Sequence, residues 1–445
     1  MTEILSYILG FLVLIMVITA VHEAGHFYIA KLFKVKILDF SIGMGKSIKS
    51  WIGKDDTSYN IRLLPIGGYV KMLGEDILEE NNSSDNASFA SKKYYQKVLI
   101  LFAGPFANFL LAILIFTILN LFGTTALSSK VGYILPDSQA SIANFQEGDI
   151  IQKVDGKDVE SRADVQMLLS RRLGDTGIIN FSVNSEGINM EKMIPIQNWL
   201  INEEPKDLLA DLGIGVPISS EIGDVIENSP ASDAGLLPGD VIKLINSKKI
   251  SSWGEIKDEI TNSVGMPLEV SIIRNGEEIS KSIIPRFSES GWIIGISSAN
   301  RISEDALFFK SYALHSAFTN ALIKTYSTIR DSFTFLYKML TGYVSPKNLG
   351  GPVMIGQFAG DTLLYGGIYS FLMLMSFVSI GLGVINLVPI PILDGGQICL
   401  LTIEKIKGSP LSPKTLDFVY RAGLSMVIFL MIFVFINDIS RLSGA

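Results

Sequence analysis

A chain of 445 residues that is 48% hydrophobic and 18% charged, with a mean hydropathy of +0.38, is too apolar for an ordinary soluble enzyme and too charged to lie wholly in a membrane. A net charge of −7 and the lack of any Lys/Arg cluster exclude nucleic-acid binding. The single cysteine, Cys399, excludes an intramolecular disulfide framework and a cysteine-rich metal site, and in its apolar setting reads as a small core residue.

The first span is expected at about residues 4–26. No Lys or Arg precedes Lys31, so the basic region of a cleavable signal is lacking, and the segment reads as a retained membrane helix. Three ionisable residues, His22, Glu23 and His26, stand at the end of this apolar run, where such groups are costly and mark a functional site. On a helix, positions four apart share a face, so His22 and His26 offer two imidazoles to one ion. Glu23, turned about 100° from His22, reaches a metal-bound water without competing for the metal. This is the HExxH arrangement of zinc peptidases, with the Glu as general base.

The following loop carries Lys31, Lys34, Lys36, Lys46, Lys49, Lys54, Arg62, Lys71, Lys92 and Lys93, whereas the N-terminal tail carries none, which assigns the loop to the cytoplasmic side. His22, Glu23 and His26 then lie towards the cytoplasmic end of their helix. Both termini and everything between the second and third spans fall on the far side. Residues 57–74, TSYNIRLLPIGGYVKMLG, read as a β-hairpin folded about the Pro and the Gly pair. Its apolar part is suited to re-enter the bilayer, where an open strand edge must be covered or paired. An extended substrate adding as a strand makes Gly67, Gly68 and Tyr69 candidate substrate-binding residues. The polar stretch EDILEENNSSDNASFASKK reads as a flexible linker. The second span is expected at about 98–122.

Residues 126–300 contain an internal repeat: SQASIANFQEGDIIQKVDGKDV aligns without gaps to SPASDAGLLPGDVIKLINSKKI at an offset of 91 residues. The pattern resembles circularly permuted PDZ domains, here 126–213 and 214–300, and DLGIGV (Asp211 to Val216) resembles a loop that holds a peptide carboxylate. Such a module either binds a chain end or occupies space near an entrance; the sequence does not choose. Residues 301–360 read as amphipathic helices on the membrane surface and a loop, NLGGPVMIGQFAG, placed beside the site. His315 in this region reads as a surface or packing histidine. The third and fourth spans are expected at about 366–388 and 420–437.

A peptidase zinc needs three protein ligands and an open position. No His or Glu follows His26 within its helix, and Asp394, at the end of the third span, is the strongest candidate for the third ligand. Pro389 and Pro391 prevent a regular helix there, and the freed backbone groups need partners, an unwound substrate among them. Asn386 can donate to and accept from a peptide backbone.

At these residues the chain resembles the site-2 protease family of intramembrane zinc metalloproteases, in its branch with tandem PDZ domains. The resemblance rests on His22 to His26, on Gly104 and Asn108 in AGPFANF, and on Asn386, Pro389, Asp394 and Gly395, with Gln397 as a departure outside the ligand set. It implies a polytopic α-helical membrane protein with four transmembrane helices, two α+β PDZ-like domains between the second and third, and a re-entrant β-hairpin after the first. It implies Zn2+ as cofactor and residence in a bacterial inner membrane. Implied substrates are single-span proteins already shortened on the far side, such as an anti-sigma factor, and signal-peptide remnants. The rival from another class is a membrane-anchored PDZ scaffold with an inactive metal site. A zinc transporter ranks lower, since no second intramembrane set of carboxylates or histidines is present for a relay.

Overall fold

A computed structural model describes residues 2–75, 86–201, 203, 207–250, 252–288 and 291–443. The chain divides into two compact units: Met1–Thr124 with Ser311–Tyr337 and Pro346–Ala445, and Thr125–Lys310 with Lys338–Ser345.

The first unit is helical apart from one sheet. Its helices are α1 (Thr2–Leu32), α2 (Tyr94–Phe122), α3 (Leu314–Leu340), α4 (Pro352–Asp361), α5 (Gly367–Asn386), α6 (Asp394–Lys407) and α7 (Pro413–Ser443). Among the described residues, four stretches are long and apolar enough to cross a membrane: Ile4–Leu32, Tyr94–Phe122, Pro346–Asn386 and Pro413–Arg441. The first and fourth helices outrun the expected 4–26 and 420–437. Past His26, α1 continues because Lys31 closes it, a cation at the negative helix end. At the other boundary Ser412 accepts from Thr415 N–H (3.1 Å) and Pro413 starts α7, the position at which proline fits a helix best.

Leu14 and Ile18 of α1 pack with Ile115 and Leu119 of α2 and Phe371 and Met375 of α5. On the other side of α2, Phe109, Ala112 and Phe116 meet Ile380 and Val384 of α5 and Ala321 of α3. So α3 is no free surface helix: it buries Ala317, Ala321 and Thr325, and leaves His315 exposed. Small residues set the closest approaches. A Cβ on Gly25 would sit 2.3 Å from the Ala103 carbonyl oxygen, which is how α1 and α2 come together beside the histidines.

The expected loop NLGGPVMIGQFAG differs: most of it is α4, whose Ala359 and Gly360 press on Gly10 and Tyr7 of α1. Those contacts lie at least 12 residues, about 18 Å along a helix, from His22, so this segment is not beside the site. Its small residues made it too weakly amphipathic to read as a helix. What holds it is Asp438 of α7, only 2% exposed. That carboxylate accepts from Gly351 N–H (2.9 Å), Val353 N–H (3.0 Å) and Met354 N–H (3.1 Å), capping α4 from another helix. Asn437 adds a bond to the Lys347 carbonyl (2.6 Å). Asp438→Ala leaves the buried Gly351 amide and the half-buried Val353 and Met354 amides without this partner and is expected to cost about 2–3 kcal/mol. A fall in the detergent melting temperature, smaller for Asp438→Asn, is the readout; an unchanged melt would remove the clamp from the account.

The sheet corrects the expected hairpin at 57–74. Ser58–Met72 (β2) does not fold back on itself about Pro65 and the glycines; its partner is the preceding Ile37–Ile52 (β1). Both strands bend. The register sets Asp39–Ile42 between the two arms of β2, opposite Gly68–Lys71 on one side and Ser58–Ile61 on the other, while Ser47–Ile52 lies along the second arm. The charged residues of β1 hid its strand pattern, and Gly43 and Gly45, at φ of 87° and 83°, supply the bend. Of the expected linker, residues 76–85 lie outside the described residues. Its end is not loose: Ser88 and Phe89 are buried, and Phe89 belongs to the cluster beneath the sheet. Cys399 also differs from expectation, since α6 leaves it exposed.

The second unit holds two four-stranded sheets of the same order. One runs Lys157–Asp158, Ile150–Val154, Gly177–Ser185, Ile188–Ile196, and the other Lys248–Lys249, Val241–Ile245, Leu268–Arg274, Glu277–Ile283. The helices Arg162–Ser170 and Trp253–Asn262 keep the same offset, so the sequence repeat is a structural one. The Asp of each G-D pair does the same work in both copies. Asp149 accepts from Gln146 N–H and pairs with the buried Lys192 (2.7 Å), and Asp240 accepts from Leu237 N–H and pairs with Arg274 (2.7 Å). Two expected boundaries shift. Ile214 bridges Ile134 and Gly215 O accepts from Gly132 N–H, so the first repeat runs past residue 213. Leu307–Lys310 pairs with Thr124–Leu127, so this unit runs past residue 300. Near the DLGIGV segment, burial works against the Asp207 carboxylate, but the Arg162 guanidinium (2.9 Å) and the Ala210 amide hold its pKa below the usual range.

Candidate metal centre

The helical spacing of His22 and His26 turns both rings to one side of α1, where their Nε2 atoms stand 3.2 Å apart. Asp394, the first residue of α6, faces them: Oδ2 lies 3.3 Å from His22 Nε2 and Oδ1 lies 3.5 Å from His26 Nε2. One atom from each residue that could ligate a metal falls within 4.8 Å of the other two. Both histidines are 7% exposed.

The hydrogen bonding shows what these atoms present. His26 Nδ1 is 2.8 Å from the Ile100 carbonyl, which only accepts, so Nδ1 carries the proton and Nε2 of the neutral ring keeps its lone pair. Asn108, fully buried, places its amide nitrogen 3.3 Å from His22 Nδ1 while its Oδ1 has no partner. Turning the amide over lets Oδ1 accept from Nδ1–H, and His22 Nε2 is then freed in the same way. Asp394 Oδ2 is also buried and accepts no hydrogen bond. Two nitrogen lone pairs and a carboxylate aimed at one point repel unless a cation stands between them. Tetrahedral zinc with bonds of about 2.0–2.1 Å would hold its ligands about 3.3 Å apart. The separations here fit that ion.

Glycines make the geometry possible. A Cβ on Gly104 would lie 2.3 Å from His26 Nε2 and 2.8 Å from His22 Cε1, so α2 presents bare backbone to the imidazoles. After α5, residues 387–393 are irregular, as Pro389 and Pro391 require. The chain wraps back over Gly395 and Gly396, whose Cβ atoms would meet the Leu387 and Ile390 carbonyl oxygens at 2.3 and 2.0 Å. Pro391 leans on Gly423 of α7. That wrapping brings an aspartate from the far end of the chain onto α1. The closeness demanded of Gly104 and Gly396 has no periodic signal of its own; Gly104 is legible only through the family pattern, and Gly396 is not legible at all.

A cavity of about 460 Å³ opens beside the ligands and is lined by Glu23, Gly67, Gly68, Tyr69, Asn386 and Gln397 among others. The arm of β2 at Gly68–Met72 runs past Glu23: Val70 N–H donates to its carboxylate, and a Cβ on Gly68 would come within 3.0 Å of Glu23 Cγ. The Tyr69 side chain is taken up by Asp39 (2.7 Å) and Arg62 (2.5 Å) on the sheet, so what it offers the cavity is backbone. The Asn386 amide lies 3.4 Å from His22 Nε2. Neither Pro389 nor Pro391 is among the cavity-lining residues; what they contribute is the break in the helix.

Comparison with known proteins identifies the family. The pattern of Peptidase family M50 matches residues 10–430. A Yersinia pestis protein named Protease RseP is 33% identical over 455 aligned residues, covering 99% of this chain and 100% of its own length. The Regulator of sigma-E protease RseP of Escherichia coli (strain K12) is 32% identical over 442 residues, 97% of this chain and 98% of that protein. Among solved structures, the PDZ domain of an SdrC-like protein from Listeria innocua is 26% identical over 19% of this chain and 99% of its own, with a TM-score of 0.18. The chain belongs to peptidase family M50 and is a metalloendopeptidase that works within the membrane.

Proposed function

We propose that the chain is a zinc-dependent endopeptidase that cuts transmembrane segments of single-span proteins, with His22, His26 and Asp394 as ligands and Glu23 as general base. The observation that carries this reading is the convergence of two imidazole Nε2 atoms, 3.2 Å apart, with the Asp394 carboxylate, whose two oxygens lie 3.3 and 3.5 Å from them, a donor set that suits a cation. Bound zinc supplies a Lewis acid and an activated water. Glu23, beside the ligands but outside their set, takes the proton from that water and passes it to the leaving amine. A helical substrate hides its carbonyls in its own hydrogen bonds and must unwind. The backbone of Gly67–Val70 then takes it as an added strand, and Asn386 with the broken turn at Pro389 and Pro391 receives freed peptide groups.

The name of the Escherichia coli relative contains regulation of sigma-E, and an anti-sigma factor with one membrane span is the substrate class that fits, with signal-peptide remnants as a second. The protein would sit in a bacterial inner membrane with the site near the cytoplasmic face, and with both repeats of the second unit and both termini across the bilayer. A scaffold with an inert metal site is disfavoured, because the ligands and the base are assembled together. The test is metal content of the purified full-length chain together with cleavage of a single-span reporter. One zinc per chain, and cleavage lost with a chelator and regained with zinc, are expected; cleavage that persists in metal-free protein would overturn the reading.

A further inference from the structure

The polar side chains lining the cavity are almost all engaged. Thr19 donates to the Ile15 carbonyl (2.8 Å), Glu75 accepts from Met72 N–H (3.0 Å), and Tyr69 is held on the sheet. Gln397 is different. It lines the same cavity, partly buried, and its carboxamide makes no hydrogen bond to any described residue. Its backbone is fixed, since its N–H donates to the Leu393 carbonyl (3.0 Å) in the first turn of α6. One turn beyond Asp394, it projects from the face of the helix that carries the third ligand.

A carboxamide holds two donors and an acceptor. Partly exposed to the cavity, it can exchange water for another partner when a substrate enters and water is displaced. The group that matches it is a peptide unit, with one N–H and one C=O to offer. An unwinding transmembrane segment frees such units where water is scarce. We propose that Gln397 is a substrate-binding residue whose carboxamide hydrogen-bonds the backbone of the unwound segment from α6, while Gly67–Val70 holds it from the sheet. This rests on the reading of the chain as a protease for unwound transmembrane segments. Because only backbone is engaged, Gln397 contributes to unwinding and placement in every substrate and reads no side-chain sequence.

The probe is a fluorescent single-span peptide in lipid nanodiscs, bound to full-length Glu23→Gln protein, which holds it uncut. Adding Gln397→Leu, similar in volume without polar atoms, is expected to weaken binding about tenfold, and Gln397→Asn, which keeps the amide, to recover part of it. In otherwise wild-type protein the same changes should lower kcat/KM about tenfold with one zinc still bound. A peptide loosened by Gly and Pro around the cut site should lose less, since less unwinding is demanded. Wild-type affinity in the Gln397→Leu protein would overturn the proposal. So would loss of zinc, which would make Gln397 a support of the metal site. Failure of wild-type protein to cleave or to hold zinc would instead count against the protease reading, independently of Gln397.

Discussion

Glu23→Gln is expected to abolish cleavage, by about 10²- to 10⁴-fold or more, while zinc and substrate are retained. The substitution exchanges one carboxylate oxygen for an amide nitrogen at nearly constant shape. Glu23 is not among the three residues whose atoms converge on the metal position, so the donor set is untouched. The remaining oxygen of the new amide still accepts the Val70 N–H that ties the helix to the edge of the sheet. What is lost is the ability to take a proton from water and return it to the amine. Zinc content, peptide affinity and single-turnover cleavage measured on one preparation separate these. Cleavage near the wild-type rate would take Glu23 out of the chemistry, and loss of zinc would make it a structural support of the ligands.

The parts of this site differ in how far the sequence discloses them, and the difference is physical. His22, Glu23 and His26 are legible because a helix converts a spacing of four into a shared face, and because an apolar run makes charge conspicuous. Asp394 is reachable by elimination, once a third ligand is required and none follows on the same helix. The repeat in the second unit is legible because each copy must make the same turn: the G-D aspartate that caps it and the cation that pairs with it recur in both. The sheet over Glu23 was misread because its true partner strand carries Asp39 and Lys46, which spoil the alternation, and because a bent strand pairing on two sides leaves no local mark. Asp438 is beyond reach for a related reason, and Gln397 shows in the sequence only as a departure from the family pattern. Each draws its meaning from groups far along the chain: the amides at Gly351 to Met354 for one, and a cavity walled by α1, the sheet and α6 for the other. Cys399 shows the converse error, since apolar neighbours in sequence do not bury a residue on the outer face of an amphipathic helix.

Gly104→Ala should cripple metal binding without touching a ligand. The added methyl would stand 2.3 Å from His26 Nε2, 2.6 Å from His26 Cε1 and 2.8 Å from His22 Cε1, inside van der Waals contact with both rings. Neither ring is free to step aside. His26 is tied to the Ile100 carbonyl at 2.8 Å, His22 is held at Asn108, and the helix axis itself is pressed on α2 at Gly25. The strain therefore falls on the direction in which the Nε2 lone pairs point, and disturbing the supports of a metal site typically weakens affinity 10- to 100-fold. Zinc transfer to a chromogenic chelator measures this directly, with Gly104→Val expected to lose the metal altogether. The control is Gly381→Ala in α5, where an added Cβ meets nothing within 4 Å, and which should keep zinc and activity. If Gly104→Ala holds zinc as tightly as the control, the imidazoles have room that the crossing of α1 and α2 denies them, and the ligand triangle would have to be rebuilt with the helices further apart.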